Sequence, residues 1–481
     1  MKFLRKGSFI LLCGSVLSGV AMMAPAQDSG PNPPPKEQLE SLGKLLFFDK
    51  NLSVNRTQSC ASCHDPGVGF SGPDSFINGA GAVEPGALPG RFGNRKPPAA
   101  NYTGESPILA YDEEAMTWFG GMFWDGRATG STLGDPLAEQ AMGPFLNPLE
   151  MAMPNAREVV IRVAHSEYAK DFESVWGPGS LDFANDPNGS FERIARSLAA
   201  YERSDMANPY TSKFDLFWAQ AKAAKKDITR ITAAGIPGGM MGSGGGGMGG
   251  GGMMGGDVGM MAGGGGGGMG GGGPEKNPTR WEHYQGLGLS ENELKGLAIF
   301  NDPMRGNCAS CHTLQEGAKG YPLFTDFGYY NLGIPRNPLN PFYTMPKKWN
   351  PDGVNWIDYG LGGSLKKAGY DATVYAIEMG KHKTPSLRNI DQRPYPEFVR
   401  AYGHNGYFKN LDQLDGIIHF YAWRAMMDAN MGGRGMGPNP NMFPAPEVDQ
   451  NRIKMQPFNF MMDGPYLVAF LKTLTDGDNA P

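Results

Sequence analysis

The pentapeptide Cys-Ala-Ser-Cys-His stands at residues 60–64 and is repeated letter for letter at residues 308–312. Two thiols two residues apart, followed directly by a histidine, form the attachment signal of a c-type haem. A zinc site or a redox disulfide is the alternative for a Cys-x-x-Cys pair. Because neither needs a histidine after each pair, the sequence predicts two covalently bound c-type haems, held by Cys60, Cys63, His64, Cys308, Cys311 and His312.

The composition and the N-terminus predict an exported protein without a nucleic-acid partner. The 481 residues carry a formal net charge of -5 and show no basic stripe. Three basic residues within the first six precede an apolar run at residues 9–20, and Ala-Pro-Ala at residues 24–26 supplies a cleavage site. This order predicts a signal peptide over residues 1–26 and a periplasmic or cell-surface location. No later segment is apolar enough to span a membrane.

A helical pattern precedes each pentapeptide. Residues 43–49 and 296–302 share a glycine, a phenylalanine and an aspartate at the same spacing, which indicates an internal duplication. In each copy the glycine would let a second helix cross closely. Residues 65–122 are rich in Gly, Pro and Asn, which predicts long loops. Helical spacing returns over residues 137–223, and an amphipathic helix closes the chain near residues 466–474.

A segment dominated by glycine and methionine divides the chain. Residues 235–274 cannot form a packed core, so they predict a disordered insert. Methionine thioethers are soft ligands for Cu(I), and copper scavenging is the alternative role for this insert. The predicted fold is mainly α, with two cytochrome c-like haem domains and long loops. The N-terminal domain would span residues 27–234 and the C-terminal domain residues 275–481.

Several short motifs accompany the haem signals: Leu-Leu-Phe-Phe-Asp at residues 45–49, Phe-Trp-Asp-Gly-Arg-Ala at 123–128, Glu-Gln-Ala-Met-Gly-Pro at 139–144 and Thr-Pro-Ser-Leu-Arg-Asn at 384–389. With them the sequence resembles the bacterial dihaem cytochrome c peroxidase family, which includes MauG. The resemblance implies that the N-terminal haem is peroxidatic and the C-terminal haem handles electrons. It makes His64 and His312 the proximal iron ligands.

The same resemblance implies a set of residues around the reactive haem. Gln140, Pro144 and Glu150 match the distal-pocket positions of the family. Splitting a peroxide needs a group that takes a proton from one oxygen and returns it to the other. Glu150 would do this, while Gln140 orients the peroxide and Pro144 limits the space. Trp124 matches a tryptophan that lies between the two haems and would relay electrons.

Two further positions follow from the resemblance. Asn94 matches a calcium-ligand asparagine, which implies Ca²⁺ at the domain junction with carbonyl ligands near Gln392. Many family members close the sixth position of the peroxidatic iron with a second histidine. No histidine lies between His64 and His165, and Asn78 stands near the expected position. The sequence therefore predicts an iron that is open to substrate without reductive activation.

The sixth ligand of the second haem is assigned to Tyr421. The family uses methionine or, in MauG, tyrosine at this position, and Tyr421 matches it if a short insertion precedes residue 414. The alternatives are His419, Met426, Met427 and Met379. The choice has consequences, because methionine raises a haem potential whereas tyrosinate favours oxidised iron.

The sequence thus predicts a dihaem c-type peroxidase that reduces hydrogen peroxide to water. Its electrons would come from a small periplasmic cytochrome c or cupredoxin. The alternative is a MauG-like oxidase that uses a high-valent dihaem state to modify a tryptophan or tyrosine of a partner protein. A non-catalytic dihaem electron carrier is disfavoured by Gln140 and Glu150. By analogy with the family, a homodimer is expected.

Overall fold

The chain folds mainly into α-helices, as its sequence predicts. The structure is a computed structural model that describes residues 34–237, 279–429 and 441–477. Its α-helices are α1 (Lys36–Phe48), α2 (Ser75–Gly79), α3 (Pro136–Leu146), α4 (Ala156–Ala164), α5 (Ala169–Trp176), α6 (Pro187–Arg203), α7 (Lys213–Ala223), α8 (Glu291–Asn301), α9 (Gly360–Lys367), α10 (Ala372–Tyr375), α11 (Ile417–Asp428) and α12 (Phe460–Lys472).

The β-structure is confined to short two-stranded sheets. The strands are β1 (Ala110–Asp112), β2 (Thr117–Phe119), β3 (Ile231–Thr232), β4 (Thr279–Arg280), β5 (Tyr329–Tyr330) and β6 (His382–Lys383). β1 pairs antiparallel with β2, β3 parallel with β4, and β5 antiparallel with β6. The last pair matters for the site, because it places β6 on the wall of a large buried cavity.

A helix crossing organises each half of the chain. In the N-terminal half α1 crosses α6, and a Cβ atom on Gly43 would collide with the carbonyl oxygen of Ser197. In the C-terminal half α8 crosses α12, and a Cβ on Gly296 would collide with the carbonyl oxygen of Tyr466. Both helices can approach this closely only because the glycines lack side chains. The role predicted for this duplicated glycine is confirmed.

The two crossings lie in separate hydrophobic cores, and each core contains one pentapeptide. Cys60 packs against the core built on α1, α4 and α6, whereas Cys308 packs against the core built on α7, α8 and α12. Residues 65–122 are mostly irregular, as predicted. No helix in the described ranges is long and apolar enough to cross a membrane.

Some predictions about chain organisation stay predictions. The signal peptide and nearly all of the Gly/Met-rich insert lie outside the described residues. The described residues belong to one compact unit, so the boundary between two haem domains rests on the sequence and on the two separate cores.

Candidate haem-binding active site

Each pentapeptide forms one tight turn that gathers its cysteines and its histidine. The His64 amide donates to the Cys60 carbonyl at 3.0 Å, and the His312 amide donates to the Cys308 carbonyl at 2.9 Å. Each turn directly follows the helix that supplies the crossing glycine, since α1 and α8 end about a dozen residues or fewer before it. The duplication seen in the sequence is therefore also a duplication of local structure.

Both histidines are oriented to ligate a metal through Nε2. Nδ1 of His64 lies 3.1 Å from the Phe70 carbonyl oxygen, and Nδ1 of His312 lies 2.9 Å from that of Phe324. A carbonyl only accepts, so Nδ1 carries the hydrogen and the lone pair is left on Nε2. Burial lowers the pKa of both imidazoles, which keeps them neutral. This is the form that binds haem iron.

The two cysteine pairs are not arranged as one zinc site, which would need four ligands close together. The pairs lie in different cores, and all four cysteines are free rather than disulfide-bonded. A separate thioether-bonded group at each pair fits this arrangement better.

A large cavity opens beside the second pentapeptide, and four buried cations line it. One of them, Arg388, is paired with Asp215. Cys308, Cys311 and His312 form part of its wall together with apolar side chains. Lys96 donates to Ser71 and to the Pro97 carbonyl, Lys383 donates to Ser106 and two carbonyls, and Arg400 donates to two carbonyls. In the described part of the chain none of these three cations forms an ion pair with a carboxylate.

Such unpaired buried cations are the observation that fits a haem here. A buried ammonium or guanidinium requires a counter-charge, and the propionates of a haem are carboxylates. Burial lowers the pKa of Lys96 and of Lys383 to about 7, and neighbouring Arg400 lowers that of Lys96 further. An apolar cavity that combines two thiols, a free imidazole Nε2 and cations for propionates is suited to a c-type haem.

A second pocket contains Glu150 and lies close to the first pentapeptide. It is lined by Phe123, Arg127, Glu139, Met142, Gly143, Asn147 and Glu150, among others. The negative charge of Glu150 raises the pKa of both Cys60 and Cys63, which places this carboxylate near the first haem position. Burial raises the pKa of Glu150 itself, against the opposing effects of Arg127 and Asn147. Glu150 is thus a half-buried carboxyl group that keeps its proton to a higher pH than an exposed one does.

The C-terminal end of α3 positions Glu150. The Met151 amide donates to the Pro144 carbonyl at 3.1 Å, and the Glu150 amide donates to the Asn147 carbonyl at 3.0 Å. Gln140 and Pro144 lie one turn apart on α3, but the described lining of the pocket contains Met142 and Gly143 instead. The structure therefore joins Pro144 to Glu150 through the backbone, and the predicted contact of Gln140 with substrate stays a prediction.

The motif at residues 123–128 links the two pockets. Phe123 lines the pocket of Glu150, and the next residue, Trp124, lines the cavity of His312. The Trp124 indole donates to the Lys96 carbonyl at 2.9 Å, and its own carbonyl accepts from the Lys383 amide at 2.9 Å. Trp124 is therefore buried and held by hydrogen bonds between the two pockets, a position that suits the electron transfer predicted for it.

Tyr421 lines the cavity of the second pentapeptide from α11. Burial raises its pKa, and the nearby Cys308 and Cys311 add to this effect. Of its predicted rivals, His419 points its Nδ1 at the Leu414 carbonyl and packs on Phe460, away from the described lining of the cavity. Met379, Met426 and Met427 are not among the described lining residues either. Met455, which the sequence did not single out, does line the cavity.

Asn78 lies buried on α2, and its side chain is engaged by the backbone. Its side-chain amide donates to the Gly72 carbonyl at 2.9 Å.

Glu84 lies close to the same glycine, and the negative charge of Glu84 raises the pKa of Cys63. Burial raises the pKa of Glu84 to about 7. No sequence pattern marked Glu84, because it lies in an irregular loop.

The predicted calcium ligands are engaged by other partners. The Asn94 carbonyl accepts from the Asn340 amide at 2.8 Å. The Gln392 carbonyl accepts from the Arg400 guanidinium, which also donates to the Val68 carbonyl. The Arg400 guanidinium thus already donates to one of the expected carbonyl ligands. Calcium binding at this place stays a prediction.

Comparison with known proteins agrees with this site. A family profile described as di-haem cytochrome c peroxidase matches residues 37–223. The methylamine utilization protein MauG of Paracoccus denitrificans is 29% identical over 467 residues, which cover 96% of this chain and 94% of that protein. The cytochrome c551 peroxidase of Nitrosomonas europaea is 29% identical over 210 residues, 43% of this chain and 51% of that protein.

A solved structure extends the similarity to the fold. The diheme peroxidase BthA from Burkholderia thailandensis E264 superposes with a TM-score of 0.60 at 26% identity. The superposition covers 93% of this chain and 88% of that chain. The similarity therefore extends over both halves of the molecule.

Proposed function

Because this chain belongs to the di-haem cytochrome c peroxidase family that includes MauG, we propose that it reduces hydrogen peroxide to water with electrons from a small periplasmic redox protein. It is an oxidoreductase that acts on peroxide. The donor would be a small cytochrome c or a cupredoxin. The observation that carries the proposal is the half-buried Glu150 beside the first pentapeptide, since a catalyst of peroxide cleavage needs a positioned proton acceptor and donor.

The chain's own residues would hold two c-type haems. Cys60 and Cys63 would attach one and His64 would ligate it, and Cys308, Cys311 and His312 would do the same for the other. When bound, the haem irons supply the redox chemistry and the site at which peroxide is activated. The two backbone carbonyls that accept from the histidine Nδ1 atoms keep each imidazole in the ligating tautomer.

Glu150 would move the proton. As a carboxylate it can accept a proton from the near oxygen of hydrogen peroxide, and as an acid it can return this proton to the departing oxygen. Arg127 faces the same pocket and holds its guanidinium 3.6 Å from the centre of the Phe123 ring. Its charge would favour the carboxylate form of Glu150. Gln140 and Pro144 would orient the substrate and limit its space.

Trp124 would carry electrons between the two sites. It is fixed by hydrogen bonds at both its indole and its carbonyl, so its position varies little. An aromatic ring at this place shortens the transfer distance from the His312 side to the Glu150 side. The donor would deliver its electrons to the side of His312.

One observation supports a second candidate. Tyr421 lines the cavity beside Cys308 and Cys311, and the similarity to MauG spans almost the whole chain. A tyrosinate ligand would favour oxidised iron. This suits an oxidase that accumulates oxidising equivalents and uses them on a tryptophan or tyrosine of a partner protein.

Steady-state turnover of the holoprotein separates the candidates. Purified protein carrying both haems would be mixed with a reduced small c-type cytochrome and hydrogen peroxide. The proposal expects saturable, peroxide-dependent oxidation of the cytochrome at about 1–10³ per second, the usual range for enzymes. Turnover below about one per minute would reject it, and peroxide-dependent oxidation of a partner's tryptophan or tyrosine would establish the second candidate instead.

We also propose that the protein is exported to the periplasm, where the haems would be attached. N-terminal sequencing of the mature protein from cells checks this, since export predicts an N-terminus at residue 27. A chain that retains its first residues would contradict it. The homodimer stays a prediction by analogy.

A further inference from the structure

We infer that Asp358, His382, His404 and Glu447 form a binding site for one divalent first-row transition-metal ion. The four side chains line the same cavity as the second pentapeptide, so the ion would lie beside the second haem. Their exposed fractions are 2%, 10%, 6% and 4%, so the cluster is shielded from solvent. Nothing in the proposed peroxide chemistry uses these four residues as a group.

The separations within the cluster match those of ligands around one ion. Nε2 of His382 lies 3.3 Å from Oδ1 of Asp358, and Nε2 of His404 lies 3.9 Å from Oε2 of Glu447. One ligand atom each from Asp358, His382 and His404 fall within 4.8 Å of one another. Nitrogen and oxygen ligands about 2.1 Å from a tetrahedral zinc lie about 3.4 Å apart. The cluster is therefore wider than a closed site, and binding of one ion would require the two imidazoles to turn as well as to approach each other.

Three atoms of the cluster are buried without a hydrogen-bond partner in the described structure. They are Nε2 of His382, Nε2 of His404 and Oε2 of Glu447. Unpartnered buried polar atoms are costly and usually indicate a missing ligand or ion. Here all three belong to residue types that bind transition metals, and they occur in one place.

Hydrogen bonds orient His382, Glu447 and Asp358, and both oxygens of Asp358 already accept from Arg95. Nδ1 of His382 lies 3.1 Å from the Gly380 carbonyl oxygen, so Nδ1 carries the hydrogen and Nε2 presents a lone pair. Oε1 of Glu447 accepts from the Asp358 amide at 3.2 Å and from the Tyr343 hydroxyl at 3.4 Å. These outer hydrogen bonds orient the ligands as they do in established metal sites.

The charges also favour a cation. Asp358 and Glu447 place two carboxylates beside two imidazoles, and Asp125 adds a third carboxylate close by. Arg95 bridges Asp125 and Asp358 with contacts of 2.7 and 2.6 Å. Arg127 pairs with Asp125 as well, at 2.9 Å, so two guanidiniums face three carboxylates and one negative charge is left without a cationic partner. A divalent ion between the free atoms would supply the missing positive charge.

The ligand types select the class of ion. Imidazole nitrogens combined with carboxylate oxygens suit zinc, manganese or ferrous iron rather than calcium or Cu(I). The His382 and His404 rings stack at a centroid distance of 3.5 Å and an angle of 9°. A metal lies in the plane of each imidazole that binds it, so the ion would open this stack as the two Nε2 atoms converge.

The ion would connect segments that are far apart in sequence. Asp358 directly precedes α9, His382 lies on β6, His404 lies in a loop, and Glu447 lies in the irregular segment before α12. Arg95 also links the site to Asp125, the residue after Trp124, because it pairs with both Asp358 and Asp125. A bound ion would therefore stabilise the wall of the cavity by linking four chain segments.

Zinc binding by the tag-free holoprotein tests the inference. The protein would be treated with a chelator, and its zinc uptake measured by equilibrium dialysis and elemental analysis. We expect one zinc per chain, and a dissociation constant that rises roughly tenfold or more in His382→Gln and in His404→Gln. His165→Gln is the matched control, because His165 is exposed and lies outside the cluster, and it should bind zinc as the wild type does.

A structural readout keeps the test decisive if a histidine variant loses stability. Zinc K-edge absorption of the loaded protein should show two imidazole ligands, and haem iron does not interfere at this edge. Glu447→Gln keeps the size of the side chain and should weaken binding as well. The inference is overturned if the wild type takes up no zinc at micromolar concentration, which is the outcome expected if a haem propionate satisfies the cluster. Binding that is unchanged in all three variants, or a spectrum without imidazole, overturns it too.

Discussion

Replacing Glu150 by glutamine tests the assignment of the proton-transfer group. Glutamine has nearly the same shape, so the pocket keeps its size, but it can neither accept nor return the proton. Loss of a general acid–base group costs about 10²–10⁴ in rate. Among the described residues of this pocket, the other carboxylate is Glu139, and its oxygens accept from the amides of residues 130, 132 and 133. It is therefore not free to substitute.

This isolation sets the expected magnitude. Glu84, the other carboxylate near Cys63, is not among the described lining residues of this pocket. With no second free carboxylate in the pocket, Glu150→Gln should lower kcat/KM for peroxide by about a thousandfold, which corresponds to about 4 kcal/mol of transition-state stabilisation. The pH profile gives a second signature. Because the carboxylate form accepts the first proton, activity of the wild type should rise with pH through the pKa of Glu150. Burial moves this rise to a higher pH than for an ordinary carboxyl group.

The assay is steady-state oxidation of reduced cytochrome c between pH 4 and 8. Haem content and absorption spectra would first establish that Glu150→Gln is folded and fully loaded. Glu167→Gln is the matched control, because Glu167 is an exposed glutamate near α5, and its activity should equal that of the wild type. The reasoning is refuted if Glu150→Gln keeps kcat/KM within threefold of the wild type, or if it keeps the same acid limb.

Three further changes have expected outcomes. Tyr421→Met should raise the midpoint potential of the second haem in a redox titration and change its electron paramagnetic resonance signal, whereas Met455→Leu should alter neither; the opposite pattern would assign the ligand to Met455. Arg388→Met should lower the unfolding free energy by about 3–5 kcal/mol in urea, because it leaves Asp215, 1% exposed, without its bidentate partner; a loss under 1 kcal/mol would contradict this. Burial raises the pKa of Glu202 from 4.5 to about 8, so the folded state holds a proton that the unfolded chain releases. Stability should therefore be full below about pH 4.5 and fall by about 1.4 kcal/mol per pH unit towards pH 8, and Glu202→Gln should remove this slope in urea titrations between pH 5 and 8.

The parts of the fold that sequence could predict are those that repeat locally. Gly43 and Gly296 meet equivalent atoms of the crossing helix, a backbone carbonyl oxygen and the Cβ atom of the aromatic residue four positions later, and both copies form the predicted helix crossing. Ser290 and Glu293, a Ser-x-x-Glu pattern, form a capping box at the start of α8. Tyr421 is assigned from the family resemblance, and it lies on the cavity side of α11, whereas His419 does not line the cavity.

The parts that sequence could not predict depend on contacts across hundreds of residues. Arg95 pairs with Asp358, 263 positions away, and Arg400 donates to the Val68 carbonyl, 332 positions away. These residues lie in loops without a period of two or 3.6, so no pattern marks them. Lys96 likewise reads as an ordinary surface lysine until the fold buries it. The cations of the cavity were therefore missed, although the cysteines they accompany were the strongest signal in the chain.

The buried cations of the cavity also affect the stability of the long irregular segments that surround it. Each of Lys96, Lys383 and Arg400 is buried with only neutral acceptors, and an uncompensated buried charge costs several kcal/mol. Burial lowers the pKa of Lys96 and of Lys383 to about 7, so loss of a proton relieves part of this cost. The propionates of a haem attached at Cys308 and Cys311 would favour the charged forms instead, and haem attachment should therefore stabilise these loops.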